Sequence, residues 1–379
     1  MTDLVHGMGT ELVAPDWPRI TTEEAREVLA RFAWIDDGVG AAFVVWCSPR
    51  PMSAAALVRK GTTVVFVKRH HVSVRTRARL EREHQFARHL RDRGVSVPAV
   101  LATTSGETVI ERDDYVYEVH DSAQGVDLYR DVPSWYPFVS LAHAVSAGRA
   151  LANFHHAARD FAAPAWDPEA LSGSVTIVGA EDPQLALRRL VEGRHGLARA
   201  LDQFNYEEDF NRWLLPWVEK VSPHLGGLRS QWTHGDWHAS NLTWSSRDPV
   251  ATVSEVLDLG LSNRTYAVHD LAVAIERNAV DWLDVARSGS MRVDEGIVDA
   301  LLDGYEQVAP LTPGDLSALR ALLPVAHLEF ALSEVEYFAD VVHSSSNTAL
   351  AYEDYLLGHA RWFEGPNGSS LLAHLERRG

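Results

Sequence analysis

The feature that most constrains this chain is a change of texture near Gly125. Before it, short strand-like runs dominate, at 41–46, 54–58 and 63–68, and extended segments return at 99–103, 107–112 and 115–120. Between them lies a charged, helix-period stretch, 74–93, which Gly94 stops. Thr21, followed by Glu23 and Glu24, caps another helix near the start. After Gly125, residues 141–158, 184–202 and 207–221 read as helices and a short block of strands spans 231–258. From Ala267 onward the pattern is almost wholly helical. The expected class is α+β: a small antiparallel-sheet lobe over 1–122 and a large, mainly helical lobe over 123–379. A cleft between two lobes is a common place for a ligand.

Length and charge narrow the function. With 379 residues and 46% hydrophobic content, two lobes can each bury a core. The net charge of −17 argues against a sequence-independent grip on nucleic acid, which needs a basic surface. An acidic surface suits a cationic or neutral substrate. A single cysteine, Cys47, excludes an internal disulfide and a cysteine-based zinc site. The first residues carry no basic segment leading into an apolar run, and no stretch approaches a membrane span in length. The expectation is a soluble cytoplasmic protein with no nucleic-acid or membrane partner. Lysine occurs only at Lys60, Lys68 and Lys220, and the other 32 of the 35 basic residues are arginines. A lysine kept in such a chain points to a need for a compact ammonium.

The densest chemistry is His234-Gly-Asp-Trp-His-Ala-Ser-Asn241, followed by Asp258-Leu-Gly260 and then Asp270-Leu-Ala272. Phosphoryl transfer needs a group that orients a hydroxyl and takes its proton, and oxygen ligands for Mg²⁺. Asp236, Asn241 and Asp258 are the residue types for those roles.

This set of motifs resembles the aminoglycoside phosphotransferase and choline kinase superfamily, whose fold is that of protein kinases. The resemblance implies a bilobal kinase-like fold and ATP as donor, with GTP the alternative, together with Mg²⁺. It implies that Asp236 is the catalytic base, that His234 braces its loop, that Asn241 and Asp258 hold the metal, and that Asp270 is structural. In the first lobe, Lys68 ends an apolar strand where such a fold places the lysine that touches phosphate. Glu83, with Glu81 as alternate, is its expected partner on the charged helix. Strand 115–120 and Gly125 fit the segment whose backbone meets the adenine, which points to Glu118, Val119 and His120. Ser53 closes the loop that would cover the phosphates, and that loop, 48–53, lacks the glycines of a protein kinase. Gly235 stands where a protein kinase has arginine, and little chain separates Asp258 from Asp270. Both departures favour a small-molecule acceptor over a peptide.

The acceptor itself is less constrained. Leu328, Leu332, Val335, Ala339 and Val342 share one helical face, and Glu329, Glu336 and Asp340 form an adjacent stripe. Glu329 and Glu336, with Asp281 and Trp282, are the expected acceptor-pocket residues. The acceptor would be an antibiotic, a nucleoside or an amino sugar, with an amino alcohol, homoserine or plain sugar as the alternative. Two other classes compete. His234, Asp236 and His238 on one strand face would suit a zinc hydrolase, and a kinase fold without catalysis would be a binding module.

Overall fold

Nine residues, Thr63–His71, form β5, the middle strand of a five-stranded antiparallel sheet. Its order is β3 (Phe43–Cys47), β4 (Ala54–Lys60), β5, β7 (Tyr115–Asp121) and β6 (Ile110–Arg112). The twofold period of a strand sorts the side chains. Val65 and Val67 of β5, with Tyr117 and Val119 of β7, share a core with Val28 and Leu29 of helix α1, Thr22–Leu29. Thr21 and Glu24 close a capping box on α1, and the Glu24 carboxylate then accepts from Arg69 at 2.7 Å and from the Tyr117 hydroxyl at 2.9 Å. Phe66, Lys68 and His70 point to the opposite face, where the register sets them against His120, Glu118 and Val116. Val116 packs there with Leu80 of helix α2, Arg77–Asp92.

The computed structural model describes residues 4–7, 11–32, 40–130, 132–282 and 293–379. Within these limits the α+β expectation holds, and part of the stretch expected to be helical, 283–292, lies outside the described residues. The chain divides into two units, 1–133 with 242–246 and 254–257, and the remainder. The division lies beyond the expected 122/123 because the next residues pair with an inserted hairpin, β9 (Leu242–Trp244) and β10 (Val253–Val256). Val126 and Trp244 exchange backbone hydrogen bonds of 2.7 and 2.9 Å, and the Glu255 carboxylate accepts from Gln124 N at 2.7 Å and Ser96 Oγ at 3.2 Å. Segment 99–103 forms no strand of its own but bridges His120 of the sheet through Val100, and Phe32, just after α1, through Thr103. A short ladder of β1 (Val5–His6) with β2 (Leu12–Val13) was not anticipated.

The second unit is built around α3, Leu141–Ala158, which lies against helix Glu295–Glu306. Two glycines make this contact possible. A Cβ at Gly148 would run into the Leu301 carbonyl, and one at Gly304 into the Val145 carbonyl. Gly304→Val should therefore cost about 3 kcal/mol of stability by forcing the helices apart. Gly193, with nothing in reach of a Cβ, should accept alanine with little change. Urea unfolding of the two variants checks the contrast.

The stretch expected as one helix at 184–202 breaks at Arg194, whose backbone is extended, into Pro183–Gly193 and His195–Leu201. One expectation is overturned. The stretch Pro313–Val341 is long and apolar enough to cross a membrane by length and composition. Its apolar window is 78% buried inside the protein, so its composition is that of a core helix packed on all sides.

Candidate active site

Strand β8, Ser230–Thr233, pairs antiparallel with β11, Asn263–Tyr266, and delivers the chain to His234. The strand ends at Thr233, so His234, Asp236 and His238 do not share a strand face, which removes the geometric basis of the zinc-hydrolase alternative. The loop turns at Gly235, whose φ is +76° and whose missing Cβ leaves room for the Leu261 carbonyl. The loop following β10 is thus held against the His234 loop, and Ser262 Oγ donates to the His234 carbonyl at 3.3 Å.

Asp270 lies in the first turn of helix Ala267–Ala279 and is fully buried. Its two oxygens accept from His234 N and Gly235 N, each at 2.8 Å, and Oδ2 also meets His155 Nε2 at 2.9 Å. Burial alone would raise its pKa, but the His155 hydrogen bond and the other donors hold the carboxyl below its usual range. The other His155 nitrogen faces the Tyr305 hydroxyl at 2.9 Å. Buried His234 accepts from Asp236 N through Nδ1 at 3.1 Å, and its ring packs edge-on to Phe154 and Trp237. Asn278 completes the cradle by accepting from Ala239 N and donating to the Trp237 carbonyl.

Asp236 is thereby presented with both oxygens engaged. Asn241 Nδ2 donates to Asp236 Oδ2 at 2.9 Å and to its carbonyl at 3.0 Å. His238 Nε2 lies 3.5 Å from Oδ2, and Arg277 forms an ion pair with Oδ1. With its nitrogen so used, Asn241 keeps its amide oxygen as a further acceptor. Asp258 has a φ of +53°, a left-handed conformation, and its Oδ1 accepts from Gly260 N at 3.2 Å. An amide oxygen and a carboxylate are hard donors, so this pair fits Mg²⁺ by ligand chemistry.

Behind Arg277 lies a buried group that the sequence reading missed. Glu276 Oε1 is 3.7 Å from His327 Nδ1 and 3.5 Å from His359 Nε2, and His327 Nε2 is 3.5 Å from Glu334 Oε2. Neither Glu334 oxygen has a hydrogen bond, nor do Glu276 Oε2, His327 Nδ1 and His359 Nε2. Trp282 stacks on His359 at 4.8 Å, and Trp135 meets His327 edge-on at 5.5 Å. Burial pushes Glu276 up to about 8, with the nearby Glu334 charge adding to it, and pushes Glu334 up to about 8 against the pull of Arg277. Burial also lowers His327 to about 3 and His359 well below its usual value, so both are neutral. The available signal was the run Glu276-Arg277-Asn278. Three consecutive residues cannot all face solvent on a helix whose other faces are apolar.

Two expected pocket residues prove to be committed elsewhere. Glu329 accepts from Ser174 Oγ and from the backbone N of Thr176, Ile177 and Val178, at 2.9, 2.7 and 3.2 Å for the three amides. Glu336 is bound by Arg194 and by Leu197 N at 3.1 Å. Both lie on the expected stripe, but their oxygens hold the 174–178 loop and the start of helix His195–Leu201. Trp282 does sit on the Glu276 cluster and donates through Nε1 to the Glu276 carbonyl at 2.8 Å. Its neighbour Asp281 has a buried Oδ1 without a hydrogen bond.

In the first unit, Lys68 lies opposite Glu118 in the sheet register, and its charge reaches Glu83. The Glu83 carboxylate is buried and meets Arg79 at 3.1 Å and Arg75 at 3.7 Å. Burial pushes it up to about 7 against those arginines. Glu81, the alternate, is more exposed and pairs with Arg77 at 2.8 Å. Arg75 and Arg79 were not anticipated as partners of Glu83. Ser53 ends the β3–β4 turn, and Val119 is buried in the sheet core.

Known proteins share this fold. A family model for the phosphotransferase enzyme family matches residues 53–311. A protein of Deinococcus radiodurans, described only as uncharacterized, is 25% identical over 278 residues, spanning 71% of this chain and 70% of its own. Among solved structures, a microcompartment-associated aminopropanol kinase aligns with a TM-score of 0.57 at 17% identity, covering 92% of this chain and 98% of that one. An amicoumacin kinase aligns at 0.54 and 12% identity, covering 93% and 92%. The aminoglycoside phosphotransferase of Alicyclobacillus acidocaldarius aligns at 0.50 and 17% identity, covering 88% and 92%. The fold is that of these small-molecule kinases, and with more than half its length matched by the family model, the chain belongs to the phosphotransferase enzyme family.

Proposed function

We propose that the protein is an ATP-dependent O-phosphotransferase whose acceptor is a small molecule carrying both ammonium and hydroxyl groups, such as an amino-sugar antibiotic or an amino alcohol. The observation that carries the reading is the buried Glu276–Glu334 group, joined to Asp236 through Arg277 and lined by Trp135 and Trp282. Two buried carboxyls with oxygens lacking hydrogen bonds call for donors from outside, and an ammonium supplies up to three. The flat rings cover the apolar part of such a molecule. The names of the related aminopropanol kinase and aminoglycoside phosphotransferase agree with an amine-bearing acceptor.

In this reading Asp236 orients the acceptor hydroxyl and takes its proton at a carboxylate oxygen. Asn241 and Asp258 hold Mg²⁺ through oxygen, and Lys68, fixed by Glu83, meets the nucleotide phosphates. Bound Mg²⁺ supplies charge neutralisation for the transferring phosphoryl group. An ATP-consumption screen over aminoglycosides, amino alcohols, nucleosides and plain sugars, with mass-spectrometric detection of the phosphate adduct, tests the assignment. Turnover confined to amine-free sugars would defeat it.

The carboxyl protonation gives a second check. A carboxyl raised to about 8 keeps its proton at pH 6.5 and loses it above 8. An ammonium is held by the ionised form, so acceptor kcat/KM should climb between those values. Glu334→Gln should raise the acceptor KM about tenfold and flatten the climb, leaving the ATP KM within about twofold. The ligand-free protein should behave in the opposite sense. The folded chain there retains protons that the unfolded chain has already released, so stability falls as pH rises from 6.5 to 8. His327 and His359 are neutral when folded but about half protonated at pH 6.5 when unfolded, so they oppose this slope near pH 6.5 and the two carboxyls, with the larger shifts, set its sign. Thermal melts across the range, with Glu276→Gln/Glu334→Gln showing a shallower slope, measure it.

A further inference from the structure

The sheet face that carries Lys68 also carries a second polar group, whose side chains the phosphotransferase reading does not use, since it calls on Glu118 and His120 only through their backbone. The carboxylate of Glu118, on β7, is buried among imidazoles from three elements. Its Oε2 lies 2.8 Å from His84 Nε2, on α2, and 2.8 Å from His120 Nε2, two residues along β7. Its Oε1 lies 2.9 Å from His70 Nε2, on β5. One ring nitrogen each from His84 and His120 and one Glu118 oxygen all lie within 4.8 Å of one another. Strand pairing accounts for the convergence, because Glu118 and His120 share a face and His70 is on the neighbouring strand of that face.

The far nitrogen of His84, Nδ1, is tied to Thr108 Oγ1 at 2.8 Å, which fixes the ring and aims Nε2 at the carboxylate. Outer partners of this kind orient metal-ligating imidazoles. Three imidazoles and one carboxylate are an expensive filling for the interior of a small sheet lobe unless something binds them together.

We propose that His84, His120 and Glu118 form a binding site for a borderline divalent ion, Zn²⁺ foremost, with His70 orienting the carboxylate and a fourth position open to water. Two imidazole nitrogens and a carboxylate oxygen suit Zn²⁺, Co²⁺ or Ni²⁺, whereas Mg²⁺ takes all-oxygen sites. Such an ion would pin α2 to β7. It would therefore steady Glu83, the residue next to His84, relative to the strand pair that bears Lys68.

The test uses full-length, tag-free protein stripped with chelator, titrated with Zn²⁺ and separately with Co²⁺ in the presence of excess Mg²⁺. The expected result is one equivalent of Zn²⁺ by calorimetry, visible absorption of tetrahedral Co²⁺, and a rise in Tm of about 3 °C or more at saturation. His120→Gln, at a partly exposed position, and Glu118→Gln should each lower the affinity at least tenfold. If Glu118→Gln fails to fold, His120→Gln decides alone. Absence of stoichiometric Zn²⁺ and Co²⁺ binding to the wild type would overturn the proposal and leave a hydrogen-bond knot. Binding unchanged in His120→Gln would overturn it as well. None of these readouts involves phosphoryl transfer, so failure here leaves the kinase reading intact, and failure of the kinase reading leaves this site standing.

Discussion

Asp236→Asn should lower kcat by roughly 10²–10⁴-fold while ATP still binds. The amide cannot accept the acceptor's proton. It also presents an NH₂ group where the carboxylate now receives hydrogen bonds from Asn241 and the charge of Arg277. Because one of those contacts must become donor against donor, a small stability loss should accompany the loss of turnover. Steady-state kinetics with a fluorescent-nucleotide binding assay separates the two. Turnover within tenfold of wild type would show that another group takes the proton.

Asp270→Ala should cost about 3–5 kcal/mol of stability. It removes the common acceptor of His234 N, Gly235 N and His155 Nε2 at a site with no exposure to water. Any fraction that folds should be nearly inactive, because the turn at Gly235 loses the carboxylate that fixes its direction. Asp270→Asn keeps one acceptor oxygen and should lose less. Urea titration of both variants measures the difference, and a loss under about 1 kcal/mol for alanine would mean that water or a neighbour replaces the clamp.

The Asp236–Asn241 part of this site could be read from the sequence because its contact is local. Asp236 and Asn241 are five residues apart on one loop and hydrogen-bond directly. Gly235 and Asp270 stand at spacings that a strand, a turn and a returning strand impose. The sheet was equally readable, since alternation over 63–68 gives strand, face and neighbours together. The acceptor region resisted for a physical reason. Residues 328–335 are buried all round, so the helical stripe bearing Glu329 and Glu336 could not be sorted into a pocket side and a packing side. Glu334, one turn from the one and close to the other, has the oxygens without hydrogen bonds. The partners that set Glu329 and Glu336 apart from Glu334, Ser174 to Val178 and Arg194, lie far away in sequence. The triad around Glu118 was hidden in the same way, because β7 was read for its backbone and its side chains belong to a different interaction.

The inserted hairpin has a consequence for how the protein is made. The first unit is incomplete until 242–246 and 254–257 join it, since Val126 pairs with Trp244 and Gln124 and Ser96 bond to Glu255. On the ribosome its first 133 residues must therefore wait, for roughly ten seconds at ordinary rates of elongation, while residues 134–257 are added. Vectorial, lobe-by-lobe folding is closed to this chain. A nascent or recombinant fragment ending near Pro133 would display the unpaired backbone at Val126 and the bare face of Tyr129 that Trp244 otherwise covers, which makes it a natural client for chaperones and a poor candidate for expression alone.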